Sequence, residues 1–199
     1  SNIALSSIIK ESLRKCKMPI NMVQLINTPD RLAVSELLKL EQYVDVIIPR
    51  GGKSLIKKIS TESKIPVIKH LDGNCHIYID READFKVAMR CTINSKTQRY
   101  GVCNAAESLI IHKDFSKSSI IKILSALFEH DVEIRGCKRT KTIFQKAKLA
   151  NESDWYEEYL KPIIAVKIVN SIDEAIDHIE KYGSRHTDSI ISKNKKSQS

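Results

Sequence analysis

One stretch of the chain contains the residue types that covalent catalysis uses. It reads NSKTQRYGVCNAAESLIIH, residues 94–112, and places Cys103 between a polar run and an apolar, strand-like run. Gly101 before the cysteine, and Asn104 and two alanines after it, would leave the thiol accessible. If the segment opens a helix, the positive helix end would favour the thiolate, the form that attacks carbonyl carbons. The alternative is a buried cysteine that packs as a small apolar side chain.

A second stretch has the pattern of an anion-binding turn. Residues 44–59 read VDVIIPRGGKSLIKKI, which predicts a strand, a turn at Gly51 and Gly52, and a helix. Backbone amides at a helix start can bind phosphate, and glycine allows a ligand to approach the backbone closely. Arg50 and Lys53 add positive charge. The alternative is an ordinary tight turn, because such turns are common between strands and helices.

A third stretch brings several metal-ligating residue types close together. Residues 66–80 read PVIKHLDGNCHIYID and include His70, Asp72, Cys75 and His76. A metal site or a catalytic base would use such residues, whereas an Asp-Gly turn explains them without any chemistry. No further ligands recur at a spacing typical of zinc sites, so no metal is expected.

Composition narrows the class of protein. The 199 residues include five cysteines at wide spacing, an odd number that argues against a disulfide framework and favours a reducing, cytoplasmic compartment. No apolar run approaches the roughly 18 residues that span a bilayer, so no membrane partner is expected. The net charge of +9 allows nucleic-acid binding, but the lysines are dispersed without interleaved aromatic residues. A generally basic surface is the preferred interpretation.

Apolar periodicity predicts alternating strands and helices, which indicates an α/β protein with mostly parallel strands. The predicted strands are residues 22–26, 44–49, 65–69, 75–80, 107–112, 132–136, 162–169 and 188–192. The predicted helices are residues 2–16, 30–40, 53–63, 81–96, 118–130 and 171–183. Asp30 and Gly183 are the expected N-terminal and C-terminal caps of two of these helices.

Five segments together resemble the γ-glutamyl phosphate reductase family, a branch of the aldehyde dehydrogenase superfamily. They are DVIIPRGG (45–52), IPVIKHLDGNCHIYID (65–80), NSKTQRYGVCNAAESLIIH (94–112), EEYLKPIIAVKIV (157–169) and DEAIDHIEKYGSRHTDSII (173–191). The resemblance implies an aldehyde dehydrogenase-like α/β fold, with mostly parallel sheets and flanking helices, that is incomplete at both ends.

The resemblance also implies a division of the chain. Residues 1–99 would be the later part of an NADP-binding Rossmann-like domain, and residues 100–192 the first part of a catalytic domain. Residues 193–199 would form a polar tail that frays. Family members are longer, and their extra N-terminal part supplies cofactor strands and an oxyanion-binding asparagine. This chain alone is therefore expected to have little or no activity.

The implied reaction is the NADPH-dependent reduction of L-glutamyl 5-phosphate to L-glutamate 5-semialdehyde and phosphate, the second step of proline biosynthesis. Cys103 would be the nucleophile that forms a thioester, and Asn104 would lie near the oxyanion. Gln98 and Arg99 would meet the substrate carboxylate. The implied partners are glutamate 5-kinase and further copies of the full-length chain.

The cofactor would be NADP(H). The turn from Arg50 through Gly51 and Gly52 to Lys53 would face its pyrophosphate, and Glu158 would touch the nicotinamide ribose. Three alternatives stay open: an inactive remnant or interaction module of the same reductase, an aldehyde dehydrogenase with another acyl substrate, and a basic domain that binds anions or nucleic acid.

Overall fold

The computed structural model of the chain describes residues 1–68 and 72–199, apart from the side chain of Lys53. The chain forms two compact units, Ser1–Lys69 and His70–Ser199. Residues 75–97 form a strand and a helix of the same layered structure as residues 106–191. The division into residues 1–99 and 100–192 stays a prediction. The cofactor and catalytic roles of the two parts stay predictions.

The first unit is mainly helical. Its helices are α1 (Asn2–Lys15), α2 (Leu32–Leu37) and α3 (Lys53–Glu62), with a single 3-10 turn at Ile20–Met22. All three helices were predicted, and Asp30 accepts a hydrogen bond from the amide of Leu32 at the start of α2, although the N-cap residue is Arg31.

Strand prediction was poor in the first unit. Within residues 1–68, the segments at 22–26 and 44–49 form no strand, and an isolated parallel bridge joins Ile47 to Val67. Lys69, the last residue of the predicted strand 65–69, lies outside the described residues. An apolar segment becomes a strand only where a neighbouring segment completes a ladder of hydrogen bonds, and the local sequence does not show such a partner.

The second unit is built on a six-stranded sheet. Its strands are β1 (Cys75–Ile79), β2 (Ala106–His112), β3 (Glu133–Gly136), β4 (Lys148–Leu149), β5 (Ile163–Val169) and β6 (Asp188–Ile191). The order is β4-β3-β5-β2-β1-β6, and each recorded pairing is parallel. The prediction of an α/β fold with mostly parallel strands is confirmed for this unit.

Helices flank this sheet. They are α4 (Phe85–Thr97), α5 (Lys117–Glu129), α6 (Lys138–Ile143), α7 (Ile172–Tyr182) and α8 (Lys195–Gln198). Gly183 caps the C-terminal end of α7 as predicted. Helix α6 and strand β4 were missed because the segment KRTKTIFQKAKL shows no clear apolar period.

The core of the second unit lies on both faces of β2. All seven residues of this strand are buried. Leu109 and Ile111 pack in one cluster with apolar residues of α5, and Ile110 packs in another with Ala175 of α7. Burial on both faces explains why the central strands appear in the sequence as continuous apolar runs.

The polar C-terminal segment contains the short helix α8 and makes hydrogen bonds, and its fraying stays a prediction. The amide of Lys193 donates to the carbonyl of Glu82, and the Asn194 side chain donates to the carboxylate of Glu82. Asn194 also caps α8 through the amide of Lys196. Hydrogen bonds thus hold residues 193–199, a segment that has no apolar side chains.

His178 of α7 is a buried histidine among aromatic side chains. Its ring lies 5.2 Å from the Trp155 ring and 4.5 Å from the Tyr182 ring, and its Nδ1 is 3.1 Å from the Nζ atom of Lys167. Burial first, then electrostatic repulsion from Lys167 and from His76, lower the pKa of His178 to about 3. The imidazole is therefore neutral in the folded protein at neutral pH.

We expect His178 to make the folded state sensitive to acid. As the pH falls below about 6.5, the unfolded chain binds a proton at this histidine and the folded chain does not. Stability is then lost at about 1.4 kcal/mol per pH unit. For His178→Gln, the change in unfolding free energy between pH 7.5 and 4.5, measured with urea, should be smaller by about 2.5 kcal/mol. The exposed His130, changed to Gln, is the control; equal pH slopes in all three proteins would contradict the expectation.

Candidate active site

Cys103 lies in a turn between α4 and β2, three residues before the strand begins, and is exposed. The amide of Ala105 donates to the carbonyl of Val102 at 3.1 Å, which closes the turn. The predicted apolar strand follows, but no helix begins at this cysteine. The suggested helix N-terminus is therefore wrong, since the residues after Cys103 pair with β1 and β5 instead. The expectation that Cys103 is accessible agrees with its exposure.

The backbone carbonyl of Cys103 is held by Gly73, just before β1, and by Cys75, the first residue of β1. A Cβ atom added to Gly73 would lie 1.8 Å from this carbonyl oxygen, so only glycine fits there. The Cys75 thiol donates to the same oxygen, with Sγ 3.2 Å away. Burial raises the pKa of Cys75 to about 11, which keeps this thiol protonated and able to donate at neutral pH.

Glu158 completes this arrangement. Its Oε1 accepts a hydrogen bond from the amide of Gly73 at 2.8 Å. Glu158 precedes β5, Cys103 precedes β2 and Gly73 precedes β1, so three loops at the amino ends of neighbouring parallel strands meet here. The resemblance assigned roles to Cys103 and Glu158, and the structure brings both against Gly73.

Sequence reasoning missed a buried ion pair beside these loops. Lys96 in the last turn of α4 is 0% exposed, and its Nζ is 2.6 Å from Oε2 of Glu107 in β2. The other oxygen of Glu107 accepts from the amide of Leu160 at 3.1 Å. One signal was available: Glu107 lies two residues before the apolar run of Leu109 to Ile111 in a predicted buried strand. A buried carboxylate needs a cation or hydrogen-bond donors.

The other predicted residues of this unit are open to solvent. Gln98, Arg99 and Asn104 are exposed in or next to the segment that joins α4 to β2. The backbone amide of Gln98 donates to the carbonyl of Asn94, so this residue ends the helix. All three lie on the same short connection as Cys103, and their substrate-binding roles stay predictions.

The predicted cofactor turn lies in the first unit. Gly52 is the N-cap of α3, and Arg50, Gly51 and Gly52 are exposed. A cleft of about 430 Å³ is lined by Gly52 and Ser54 and by the cationic Arg31 and Lys58. A helix start with nearby cations suits a phosphate group. The Lys53 side chain and His70, also considered in the sequence, lie outside the described part of the chain.

Two other kinds of function find no support in residues 1–68 and 72–199. These residues contain no group of three His, Cys, Asp or Glu side chains placed to hold a metal ion. Among the same residues, every helix is too short or too polar to cross a membrane.

Comparison with known proteins identifies the family. The sequence profile of the "Aldehyde dehydrogenase family" matches residues 3–135, about two thirds of the chain. The chain belongs to the aldehyde dehydrogenase family. The sequence resemblance and the aldehyde dehydrogenase-like fold are thereby confirmed.

Solved structures of this family give a more specific likeness. A γ-glutamyl phosphate reductase from Thermotoga maritima is 42% identical over 98% of this chain, with a TM-score of 0.90. A γ-glutamyl phosphate reductase from Saccharomyces cerevisiae is 36% identical over 96% of this chain, with a TM-score of 0.47. The glyceraldehyde-3-phosphate dehydrogenase of Methanocaldococcus jannaschii, complexed with NADP, shares the fold at 15% identity over 98% of this chain, with a TM-score of 0.70.

This chain covers part of the length of each solved structure that it resembles. This chain covers 47% of the Thermotoga protein, 47% of the yeast protein and 51% of the Methanocaldococcus protein. The chain thus spans about half the length of the family members that it resembles.

Proposed function

We propose that this chain carries the nucleophile of a γ-glutamyl phosphate reductase, which converts L-glutamyl 5-phosphate to L-glutamate 5-semialdehyde and phosphate. The observation that carries the proposal is the exposed Cys103, whose backbone is fixed by Gly73 and Cys75 and lies beside the Glu158 contact. The 42% identity to the Thermotoga reductase over 98% of the chain supports this substrate over other acyl groups.

In the first step, the Cys103 sulfur attacks the acyl carbon of the substrate. A carbon–sulfur bond forms, the bond from that carbon to the phosphate oxygen breaks, and phosphate leaves with the electron pair. The Asn104 side chain and the amide of Cys103 would stabilise the negative charge on the carbonyl oxygen. Arg99 and Gln98 would bind the substrate carboxylate, since guanidinium groups pair well with carboxylates.

The residues present fit a nicotinamide cofactor. The exposed turn of Arg50, Gly51 and Gly52, with the cationic cleft beside α3, would hold its phosphates, and Lys53 would add a charge. Glu158 would hold the nicotinamide ribose. When bound, NADPH supplies the hydride that reduces the thioester to the aldehyde level, which releases the Cys103 thiol. In this proposal residues 1–99 are the later part of the cofactor domain and residues 100–192 the first part of the catalytic domain, which also contributes Glu158 to the cofactor.

The proposed place of this reaction is the second step of proline biosynthesis. A kinase that phosphorylates the side-chain carboxylate of glutamate would supply the substrate, and its close association would protect a reactive acyl phosphate from water. The full-length reductase would act as a homo-oligomer in the cytoplasm.

The proposal predicts a covalent adduct at one cysteine. On mixing with L-glutamyl 5-phosphate without NADPH, the chain should gain one glutamyl group at Cys103, removable by hydroxylamine as thioesters are. Cys103→Ser should form no adduct because the nucleophile is absent. Any phosphate-dependent reduction of NADP with the semialdehyde should become at least about 10³-fold slower in this variant. Mass spectrometry of the Cys103 peptide and NADPH absorbance measure the two effects.

Cys16→Ser is the matched control because Cys16 is also exposed but lies in the first unit after α1. It should form the adduct as the unmodified chain does. A folded chain that forms no adduct and reduces no NADP would reject the proposal in favour of an inactive remnant.

A further inference from the structure

The buried ion pair of Lys96 and Glu107 connects the segments that form the candidate active site. Lys96 lies in the last turn of helix α4, seven residues before Cys103, and Glu107 lies four residues after Cys103 in β2. The second oxygen of Glu107 accepts from Leu160, two residues after Glu158. One carboxylate therefore ties α4 and β2, on either side of Cys103, to the loop that carries Glu158.

Stability alone does not account for such a pair. Burial lowers the pKa of Lys96 and raises the pKa of Glu107, and the attraction between the two charges opposes both shifts. Apolar residues of similar size often replace a buried ion pair with no loss of stability. What an apolar pair cannot supply is a directed acceptor for the Leu160 amide.

Leu160 needs that acceptor because its backbone is strained. Its φ of 50° lies in the left-handed region, which is uncommon for residues other than glycine and costs about 1 kcal/mol or more. Such a conformation persists only where surrounding contacts determine it. The hydrogen bond to Glu107 holds the chain in this conformation between Glu158 and β5.

The charges of Lys96 and Glu107 also favour the contact between the Glu158 loop and Gly73. Burial is the main cause that raises the pKa of Glu107, and repulsion from Glu158 acts in the same direction. Lys96 offsets this repulsion with its amino group 2.6 Å from Glu107. Glu158 then accepts from Gly73, which contacts the Cys103 carbonyl.

We infer that Lys96 and Glu107 are positioning residues that hold the Glu158 loop, through the Leu160 amide, against Gly73 and the Cys103 turn. Neither residue takes part in bond making. The inference rests on the proposed function only in naming Cys103 and Glu158 as the groups that benefit.

Two double variants separate positioning from stability. Lys96→Met with Glu107→Gln removes both charges but keeps a side-chain oxygen for the Leu160 amide. Lys96→Met with Glu107→Leu removes both charges and the acceptor. Hydrogen exchange at the amides of Leu160 and Gly73 is followed by NMR, with the core amide of Ile110 as the reference for global opening.

The Leu double variant should exchange at least about tenfold faster than the Gln double variant at Leu160 and at Gly73, with equal rates at Ile110. If the pair only stabilised the fold, the two variants would exchange at the same rate. Slower exchange in the Gln variant would show that the side-chain oxygen at position 107 holds the loop. Equal exchange at Gly73 in the two variants would overturn the inference. Hydrogen exchange at these amides does not require the protein to be catalytically active. A failure of adduct formation at Cys103 would therefore reject the proposed reaction without affecting the hydrogen-exchange result.

Discussion

Replacing Gly73 by alanine is expected to slow adduct formation at Cys103 by about 10²-fold. The new Cβ atom would lie 1.8 Å from the Cys103 carbonyl oxygen and 2.7 Å from its carbon, so backbone must move. Displacement of a nucleophile by about 1 Å can cost about 10²-fold in rate. The same clash should destabilise the second unit by about 1–3 kcal/mol, as other overpacked sites do. The rate of adduct formation and urea unfolding measure the two effects.

Gly101 provides the control for this change. It lies in the same connection as Cys103, and a Cβ atom added there meets no atom within 4 Å. Gly101→Ala should therefore keep the adduct rate and the urea midpoint of the unmodified chain. If Gly73→Ala behaved like Gly101→Ala, the tight packing of Gly73 on the Cys103 turn would be wrong.

The second large effect is expected on unpairing the buried charges. Lys96→Met leaves the Glu107 carboxylate buried without its cation, which should lower the unfolding free energy by about 3–5 kcal/mol at pH 7. Glu107 must then either stay charged in an apolar site or take up a proton. The loss should shrink as the pH falls, because burial raises the pKa of Glu107 and protonation removes the unpaired charge.

Urea unfolding at pH 7.5 and 5.0 tests this expectation. Lys86→Met is the control because Lys86 is exposed on the same helix. The double change of Lys96→Met with Glu107→Gln should recover most of the loss, since no charge is left unpaired. A Lys96→Met protein as stable as Lys86→Met at pH 7.5 would show that the pair is not buried as described.

The sequence was informative where local pattern and tertiary structure agree. Strands β1, β2 and β5 are apolar because both of their faces are buried, and helix α7 is amphipathic with clear caps at Ser171 and Gly183. Their existence and type followed from composition and periodicity. In the first unit the segment at 44–49 is as apolar as β1, yet it forms only one bridge because pairing depends on distant residues.

The candidate site shows the same limit. The roles of Cys103 and Glu158 were predicted from the family resemblance, by matching individual positions of the sequence. The packing of Gly73 on Cys103 and the bond from Cys75 depend on residues about 30 positions apart in sequence, brought together by parallel pairing of β1 with β2. The Lys96–Glu107 contact crosses from a helix to a strand. The sequence indicates that Glu107 needs a partner, but it does not indicate that Lys96 is that partner.

The meeting of the three loops at the amino ends of the parallel strands has a consequence for insertions elsewhere in the chain. Ligand sites of open parallel sheets usually occupy the carboxyl ends. Here the carboxyl-end connections, such as Lys113–Ser116 and Asn170–Ser171, are separate from the Cys103 turn. Insertions in those connections would leave the three loops in place. A longer carboxyl-end connection would therefore add to the chain without disturbing the Cys103 turn.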